Sequence, residues 1–472
     1  MFQNSPKTQR TISIVFSTIL LVGVMSMAAR ASTVTLTSGQ SIQAAVNNNP
    51  AGTTFEIPAG TYRQQSIVPK SGDVFIGAAG ADLNGSMVVT GFTHNTFWVA
   101  HVGISAPASL PGKCFSWAPM CQYPEDLYVD NTLYHRVSSL SVMSSNHWYL
   151  DYSNGNVYLM DDPTGHTVEI TTTPYAFSGN ANNVTIKGLL IEKYGAPGQT
   201  AAIFPENAAG DNGSDWIVEN NEIRYNHGAG VEATTGMQIL SNRIHNNGEL
   251  GIAGCGDNIL VESNNINFNN TDGYDYGFGA GGAKFDRTTN LVVRSNYVTG
   301  NYGAGLHSDT YSYNTLYEYN TTSNNKVAGI QYEISTYGVI RYNTITNDGY
   351  NPQGSGPWWG SGIYNLNSSN VEVYNNTVTN CMHGIVAADS LRVGENGAVL
   401  EVSNFSVHDN VVTQQTGVGD GVLTLATGDA IYTSWGNQYS NNTYNLPSQS
   451  GLYFYWMDKN LDYAGWEGYG QN

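Results

Sequence analysis

The feature that most constrains this chain is a phrase of roughly 23 residues that returns eight times along it. Each copy has an apolar-x-apolar triplet, a polar pair ending in Asn, an apolar-containing triplet, one or two further Asn, and a Gly followed by an apolar residue. The copies read WIVENNEIRYNHGAGV, MQILSNRIHNNGELGI, ILVESNNINFNN, LVVRSNYVTGNYGAGL, TLYEYNTTSNNKVAGI, GVIRYNTITNDG, VEVYNNTVTNCMHGI and FSVHDNVVTQQ. Their anchoring Asn falls at 221, 242, 265, 296, 320, 343, 376 and 410, at intervals of 21, 23, 31, 24, 23, 33 and 34. Three or four short strands of period two fit into each interval, which is too short for a propeller blade and lacks the Leu ladder of a leucine-rich repeat.

That period suits one coil of a right-handed parallel β-helix, an all-β solenoid whose coils stack at the inter-strand spacing of about 4.8 Å. The repeated Asn has a structural role there: its amide tolerates a left-handed turn and can hydrogen-bond to its copies above and below. With 53 Gly, 31 Tyr and only 12% charged residues, the composition argues against a helical protein. Residues 35–63 read as a first strand, a short helix over Gln40–Asn47 that caps the open end of the core, and strands entering the solenoid.

Five segments follow from the pattern. Residues 1–31 carry Lys7 and Arg10, an apolar run from Ile12 to Met27 and the small-x-small site Ala29-Arg30-Ala31, the form of a secretory signal cleaved before Ser32. The apolar run is shorter than the roughly 20 residues a membrane span needs. Residues 32–96 form the cap and first coils, and 97–171 an inserted antiparallel β-subdomain with a hairpin turn at Asn154-Gly155. The main solenoid covers 172–436, and the aromatic, non-repeating stretch 437–472 covers its far end.

Without its signal the chain has 15 basic against 37 acidic residues, a net −22. Such a surface repels polyphosphates and anionic lipid, so nucleic acid and membranes are excluded as partners and neutral glycans favoured over polyanionic ones. Secretion places it outside the cell or in the periplasm. Cys114 and Cys121 are close enough to form a disulfide in that oxidising setting, while Cys255 and Cys381 read as buried thiols.

Aligning coils on their glycines stacks Gly282-Ala-Lys-Phe-Asp286, Gly305-Leu-His-Ser-Asp309 and Gly329-Ile-Gln-Tyr-Glu333. Asp286, Asp309 and Glu333 then occupy one rung position in three consecutive coils, with Lys284, His307 and Gln331 two residues earlier on the same face. Like charges stacked directly opposite are destabilising, so the arrangement needs a reason. A solvated or ion-paired face is one reading and a calcium site on Asp286, Asp309 and Glu333 another. Glycoside cleavage is the third: a coil rise of about 4.8 Å approaches the 5–5.5 Å carboxyl separation of retaining glycosidases. Crowding then raises the pKa of one acid, making a proton donor. Insertions at 271–281 and 347–361 flank the ladder and carry Tyr274, Tyr276, Phe278, Tyr350, Trp358 and Trp359, aromatic side chains suited to sugar faces. Lys284, His307, Gln331, Tyr332 and Tyr364 join this candidate substrate-binding set, with Asp286, Asp309 and Glu333 as the candidate catalytic acids.

The run GGAKFDRTTNLVVRSNYVTGNYGAGLHSDTYSYNTLYEYNTTSNNKVAGIQYEIS, with the secreted N-terminus, capping helix and Asn ladder, resembles secreted pectate-lyase-like right-handed β-helix proteins. Locally, Gly305-Leu306-His307-Ser308-Asp309 and Tyr332-Glu333 resemble the catalytic motifs of β-helix glycoside hydrolases of the β-xylosidase type, with His307 where that family tends to have Trp. The resemblance implies a hydrolase with Asp309 as nucleophile and Glu333 as acid/base, needing no cofactor. GFGAGGAKF is similar to the lysine region of β-helix polysaccharide lyases, which implies Lys284 as a base with calcium on a uronate polymer. The chain lacks the paired aspartates expected in the next coil of such a lyase. A non-catalytic glycan-binding β-helix is the remaining alternative, since the fold hosts many activities.

Overall fold

The computed structural model describes residues 32–350, 358, 360–395, 397–425 and 428–471. The signal segment and Trp359 lie outside them. Three parallel sheets wind as a right-handed β-helix: sheet A has 13 strands, from Thr33–Thr35 to Gln438–Ser440, while B and C have 12 each. One coil runs Val292–Arg294 in sheet A, Tyr297–Thr299 in B and Ala304–Asp309 in C. Coils stack residue over residue, so Val293 lies over Tyr317 and Tyr317 over Ile340. These inward columns are fully buried and form one continuous core along the axis, each large side chain contributing about 1.5–3 kcal/mol through burial.

The first end is closed by the helix Ile42–Asn48, two residues later at its start than the sequence suggests. Ser41 Oγ accepts from Ala44 N at 3.2 Å, and Ile42, Ala45 and Val46 face the core. At the far end the coils continue beyond 437: Gln438–Ser440, Thr443–Asn445 and Phe454–Trp456 extend sheets A, B and C. The helix Tyr463–Gly468 then lays Trp466 on Phe454, ring centroids 4.8 Å apart. Among the described residues, no helix is long and apolar enough to cross a membrane.

The Asn ladder sits at the corner between sheets A and B, with two corrections. Its third member is Asn264 rather than residue 265: Asn264 Oδ1 accepts from Asn242 N at 2.9 Å, and Asn264 Nδ2 donates to Asn296 Oδ1 at 3.1 Å. The left-handed residue is the one before each ladder Asn, including Ser241, Ser295, Tyr319 and Tyr342. The ladder amide braces the corner, and its neighbour takes the left-handed turn. A second ladder, Asn226, Asn247, Asn269, Asn301, Asn325 and Asp348, runs along the corner between B and C. In six successive coils the two ladder residues are five apart, from 221 and 226 to 343 and 348, so coil length varies only outside this corner.

The inserted sheet has eight strands and draws in Ser86–Val88 and Thr93–His94, ahead of residue 97 where the repeat lapses. All its pairs are antiparallel except Thr132–Arg136 with His147–Asp151. Asn154 and Gly155 belong to a four-residue turn, because Asp151 pairs with Asn156. The Asp151 carboxylate holds it by accepting from Ser153 N at 2.9 Å and Asn154 Nδ2 at 2.8 Å. Cys114 and Cys121 form a disulfide; Cys381 is buried, but Cys255 is exposed.

Candidate active site

Sheet C carries the charged face. Its register stacks Glu232, Ala253, Lys284, His307, Gln331 and Tyr364 in one column, and Asp286 on Asp309 in the next. The alternation of the strands sends Ile330 and Tyr332 inward and leaves Gln331 and Glu333 on the outer face. Tyr332 is therefore withdrawn from the substrate-binding set: it is fully buried in the core and donates its hydroxyl to Thr336 O at 2.9 Å.

The acids stand at the last residues of these strands, where the chain turns toward sheet A. A hydroxyl ladder fixes that turn: Thr288 N donates to Ser312 Oγ, Ser312 N to Ser335 Oγ and Ser335 N to Ser368 Oγ, all within 3.2 Å. Ser312 Oγ also donates to Asp309 O, and Ser335 Oγ to Glu333 O. Ser312 and Ser335 escaped the sequence reading, although they follow Asp309 and Glu333 by three and two residues.

Lys284 Nζ sits 2.9 Å from Asp309 Oδ2 and 3.8 Å from Asp286 Oδ1. Thr310 N donates to Asp309 Oδ1 at 2.6 Å. His307 Nε2 and Gln331 Nε2 approach Glu333 Oε2 at 3.1 and 2.7 Å, and Arg392 pairs with Glu333 Oε1. One atom each of His307, Asp309 and Glu333 lie within 4.8 Å of one another. Burial drives the Glu333 carboxyl upward, but His307 and Arg392 outweigh it and hold the group down at about 2. Burial also raises Asp286, reinforced by Asp309 and Glu333 against Lys284. The acid whose affinity for a proton rises is thus Asp286 rather than Glu333. Burial works against the Lys284 ammonium, yet Asp309 and Asp286 raise its pKa and keep it charged.

Arg392 belongs to a surface hairpin, Arg392–Val393 with Val399–Leu400, that arches back across the ladder. Glu395 in it pairs with Arg287 at 2.5 Å, and Tyr311 Oη is 2.5 Å from Glu395 N. Nothing in the repeat indicates the Arg392–Glu333 contact, which joins residues 59 apart.

On the other side a cavity of about 110 Å³ adjoins Lys284 and Asp286 and is lined by Glu232, Glu249, Gln199 and Phe278. Burial raises Glu232 to about 8, with Asp286 adding repulsion, and Glu249 to about 7 despite hydrogen bonds from Gln199. Glu232 shares the Lys284 column and was readable as the second residue after Gly230. Phe278, half exposed, is an aromatic wall of this cavity.

The other aromatic residues are distributed differently from the expectation. Tyr274 and Tyr276 are buried beneath the loop of the inserted subdomain that bears the disulfide: Tyr274 Oη lies 2.9 Å from His227 Nε2, and Tyr276 packs on Phe115 at 4.8 Å. Trp358 packs edge-on against Tyr455, and Tyr350 lines a shallow depression with Asn324 and Asn347. Tyr364 remains in the site column as a fully buried floor beside Gln331.

A family model described as the right-handed beta helix region matches residues 208–378. No curated protein matches the chain by sequence. Among solved structures, the complex of XylC with xylose superposes with a TM-score of 0.60 at 14% identity, covering 88% of this chain and 82% of that one. A structure described as a glycoside hydrolase gives 0.46 at 10% identity, covering 88% and 96%. The A-module of the Azotobacter vinelandii mannuronan C-5 epimerase AlgE4 gives 0.48 at 14%, covering 89% and 97%. At these identities the XylC likeness establishes the common β-helix fold.

Proposed function

We propose that this protein is a secreted carbohydrate-active enzyme that hydrolyses a glycosidic bond with retention, Asp309 acting as nucleophile and Glu333 as acid/base. The observation that carries the reading is the pair itself: one oxygen of each carboxylate lies within 4.8 Å of the other, on adjacent coils, near the roughly 5–5.5 Å separation of retaining pairs. Lys284 and the Thr310 N–H engage Asp309 from two sides and fix the orientation of its carboxylate. In the first step the Asp309 carboxylate attacks the anomeric carbon while Glu333 protonates the departing oxygen. In the second, Glu333 takes a proton from water, which then displaces Asp309.

Glu333 must carry a proton for the first step, and its pairing with Arg392 and His307 opposes that. Arg392 therefore has to leave Glu333 when the glycan enters; its hairpin is an exposed arm, with Val393 and Val399 both open to solvent. Asp286, Glu232 and Glu249 line the same cleft, and burial raises the pKa of each.

The lyase alternative is weakened by Lys284, because a proton-abstracting lysine needs its neutral form and Asp309 with Asp286 favours the ammonium. A calcium ion on the ladder would compete with Lys284 and Arg392, which already pair with Asp309 and Glu333. The disulfide agrees with an extracytoplasmic setting. Since the xylose complex shares this fold, xylosides head the substrates to test.

The test is incubation with aryl xylosides, neutral oligosaccharides and uronate polymers, reading reducing ends and ultraviolet absorbance together. Reducing ends, with a fluorosugar adduct found on Asp309 by mass spectrometry, are expected. Absorbance from unsaturated uronates, or no turnover on either channel, sinks the reading. Arg392→Ala should move the basic limb of the kcat/KM profile to higher pH by freeing Glu333, and an unmoved limb would remove Glu333 from the acid role.

A further inference from the structure

A second cluster lies away from the acid ladder, where the inserted subdomain meets the solenoid. Asp126 comes from the inserted subdomain, just before its strand Leu127–Val129. His227 comes from the corner between sheets B and C, and Asp272 from the insertion that follows Asn269. His227 Nδ1 is 3.1 Å from Asp126 Oδ1 and 2.9 Å from Asp272 Oδ2. All three side chains are at least nine-tenths buried, with 10, 1 and 8% exposed for Asp126, His227 and Asp272. One ligand atom from each lies within 4.8 Å of the other two.

The hydrogen bonding is incomplete. The single Nδ1–H of an imidazole can satisfy one acceptor, and its geometry favours Asp126. Asp272 Oδ2 is left buried with no hydrogen bond, although it is aimed at the same nitrogen. Two buried carboxylates facing one imidazole carry more negative charge than that ring can neutralise, and buried charge is otherwise compensated by an ion pair or a metal. Arg136, the guanidinium lining the adjoining cavity, is already taken by Glu125 at 2.7 Å.

We propose that Asp126, His227 and Asp272 bind one divalent transition-metal cation, which fastens the inserted subdomain to the solenoid. The spacing fits: six-coordinate bonds of about 2.1 Å put adjacent ligands about 3.0 Å apart. One imidazole with two carboxylates suits ions of the manganese and zinc class. His227 Nε2–H then donates to Tyr274 Oη at 2.9 Å, the outer hydrogen bond that fixes the tautomer of a metal-bound histidine. A cavity of about 400 Å³, lined also by Trp117, Tyr123 and His147, opens onto the three ligands and provides both an entry path and room for waters on the remaining positions.

The experiment uses the full mature chain stripped with chelator and titrated separately with Mn2+ and Zn2+. Bound metal per chain is read by mass spectrometry and thermal stability by calorimetry. One equivalent bound, a Tm that rises with metal concentration, and loss of both effects in Asp272→Asn are expected, while Glu333→Gln keeps them. Because Asp272→Asn could fail to fold, nitrogen hyperfine coupling to Mn2+ in the unaltered protein gives a second readout that must vanish in His227→Gln. No retained metal, or equal binding in Asp272→Asn, would overturn the proposal and leave the cluster a histidine clamped by two aspartates. Loss of binding in Glu333→Gln with retention in Asp272→Asn would place the ion on the acid ladder, which also overturns it.

Discussion

Two ladders run along this solenoid and solve the same stacking problem with opposite chemistry. At the corner between sheets A and B, each Asn accepts from the coil before it and donates onward; Asn296, for example, accepts from Asn264 and donates to Asn320 Oδ1 and Val261 O. An amide is both donor and acceptor, so the stack satisfies itself and stays neutral. On sheet C, Asp286, Asp309 and Glu333 occupy the same kind of stack with groups that, once ionised, only accept. They persist because Lys284, His307 and Gln331 on the neighbouring column of the same strands, and Arg392 from the surface hairpin, pair with them. A stack that needs four donor partners from other positions is costly to maintain as structure alone, and that is the physical argument for a function there.

The contrast can be tested by exchanging the properties of the ladders. Glu333→Gln makes an acidic rung amide-like; hydrolysis should fall by about 10³-fold with little change in Tm. A comparable fall in Tm would make the acid ladder structural. Asn296→Leu removes an amide from the neutral stack, leaving partners on both sides unsatisfied. Unfolding free energy should drop by roughly 3 kcal/mol in urea titration, with kcat unchanged for whatever folds.

Asp348 is the one acid in the second ladder, accepting from Asn325 N at 2.7 Å and Thr322 Oγ1 at 2.7 Å. Burial raises it to about 7 against those hydrogen bonds. A raised carboxyl holds its proton longer in the folded chain than in the unfolded one, so stability should fall as pH climbs from about 4 to about 7 and then level off. Asp348→Asn should flatten that part of the stability curve, and an unchanged slope would mean that Asp348 does not titrate there. Tyr332→Phe is the mildest test. It should cost about 1 kcal/mol through the lost bond to Thr336 and leave KM untouched, whereas a raised KM would return Tyr332 to the substrate face.

What was legible followed from the coil period. The interval from Asp309 to Glu333 identified neighbouring rungs, and the two-residue offset to Lys284, His307 and Gln331 followed from strand alternation. The same alternation assigns Tyr332 to the core, because it lies one residue from Gln331. Tyr274 and Tyr276 could not be recognised as packing residues, since their partners Phe115 and Gly112 come from the inserted subdomain far back in the chain. Arg392 was hidden for a related reason: a repeat reports what stacks along the axis and nothing about what folds back across it. Glu232 does not show on the acid rung, where its coil has Thr234, because it belongs to the adjoining column.

The constant five-residue step between the two ladders has a practical consequence for how such a protein can change. It works like the bound edge of a book. Pages may be cut to different widths, as the insertions at 271–281 and 347–361 and the hairpin of Arg392–Val393 with Val399–Leu400 are, without disturbing the stitching. Exchanging those margins between coils is therefore a route to new surfaces around the acid ladder in which the thickness and order of the pages are retained.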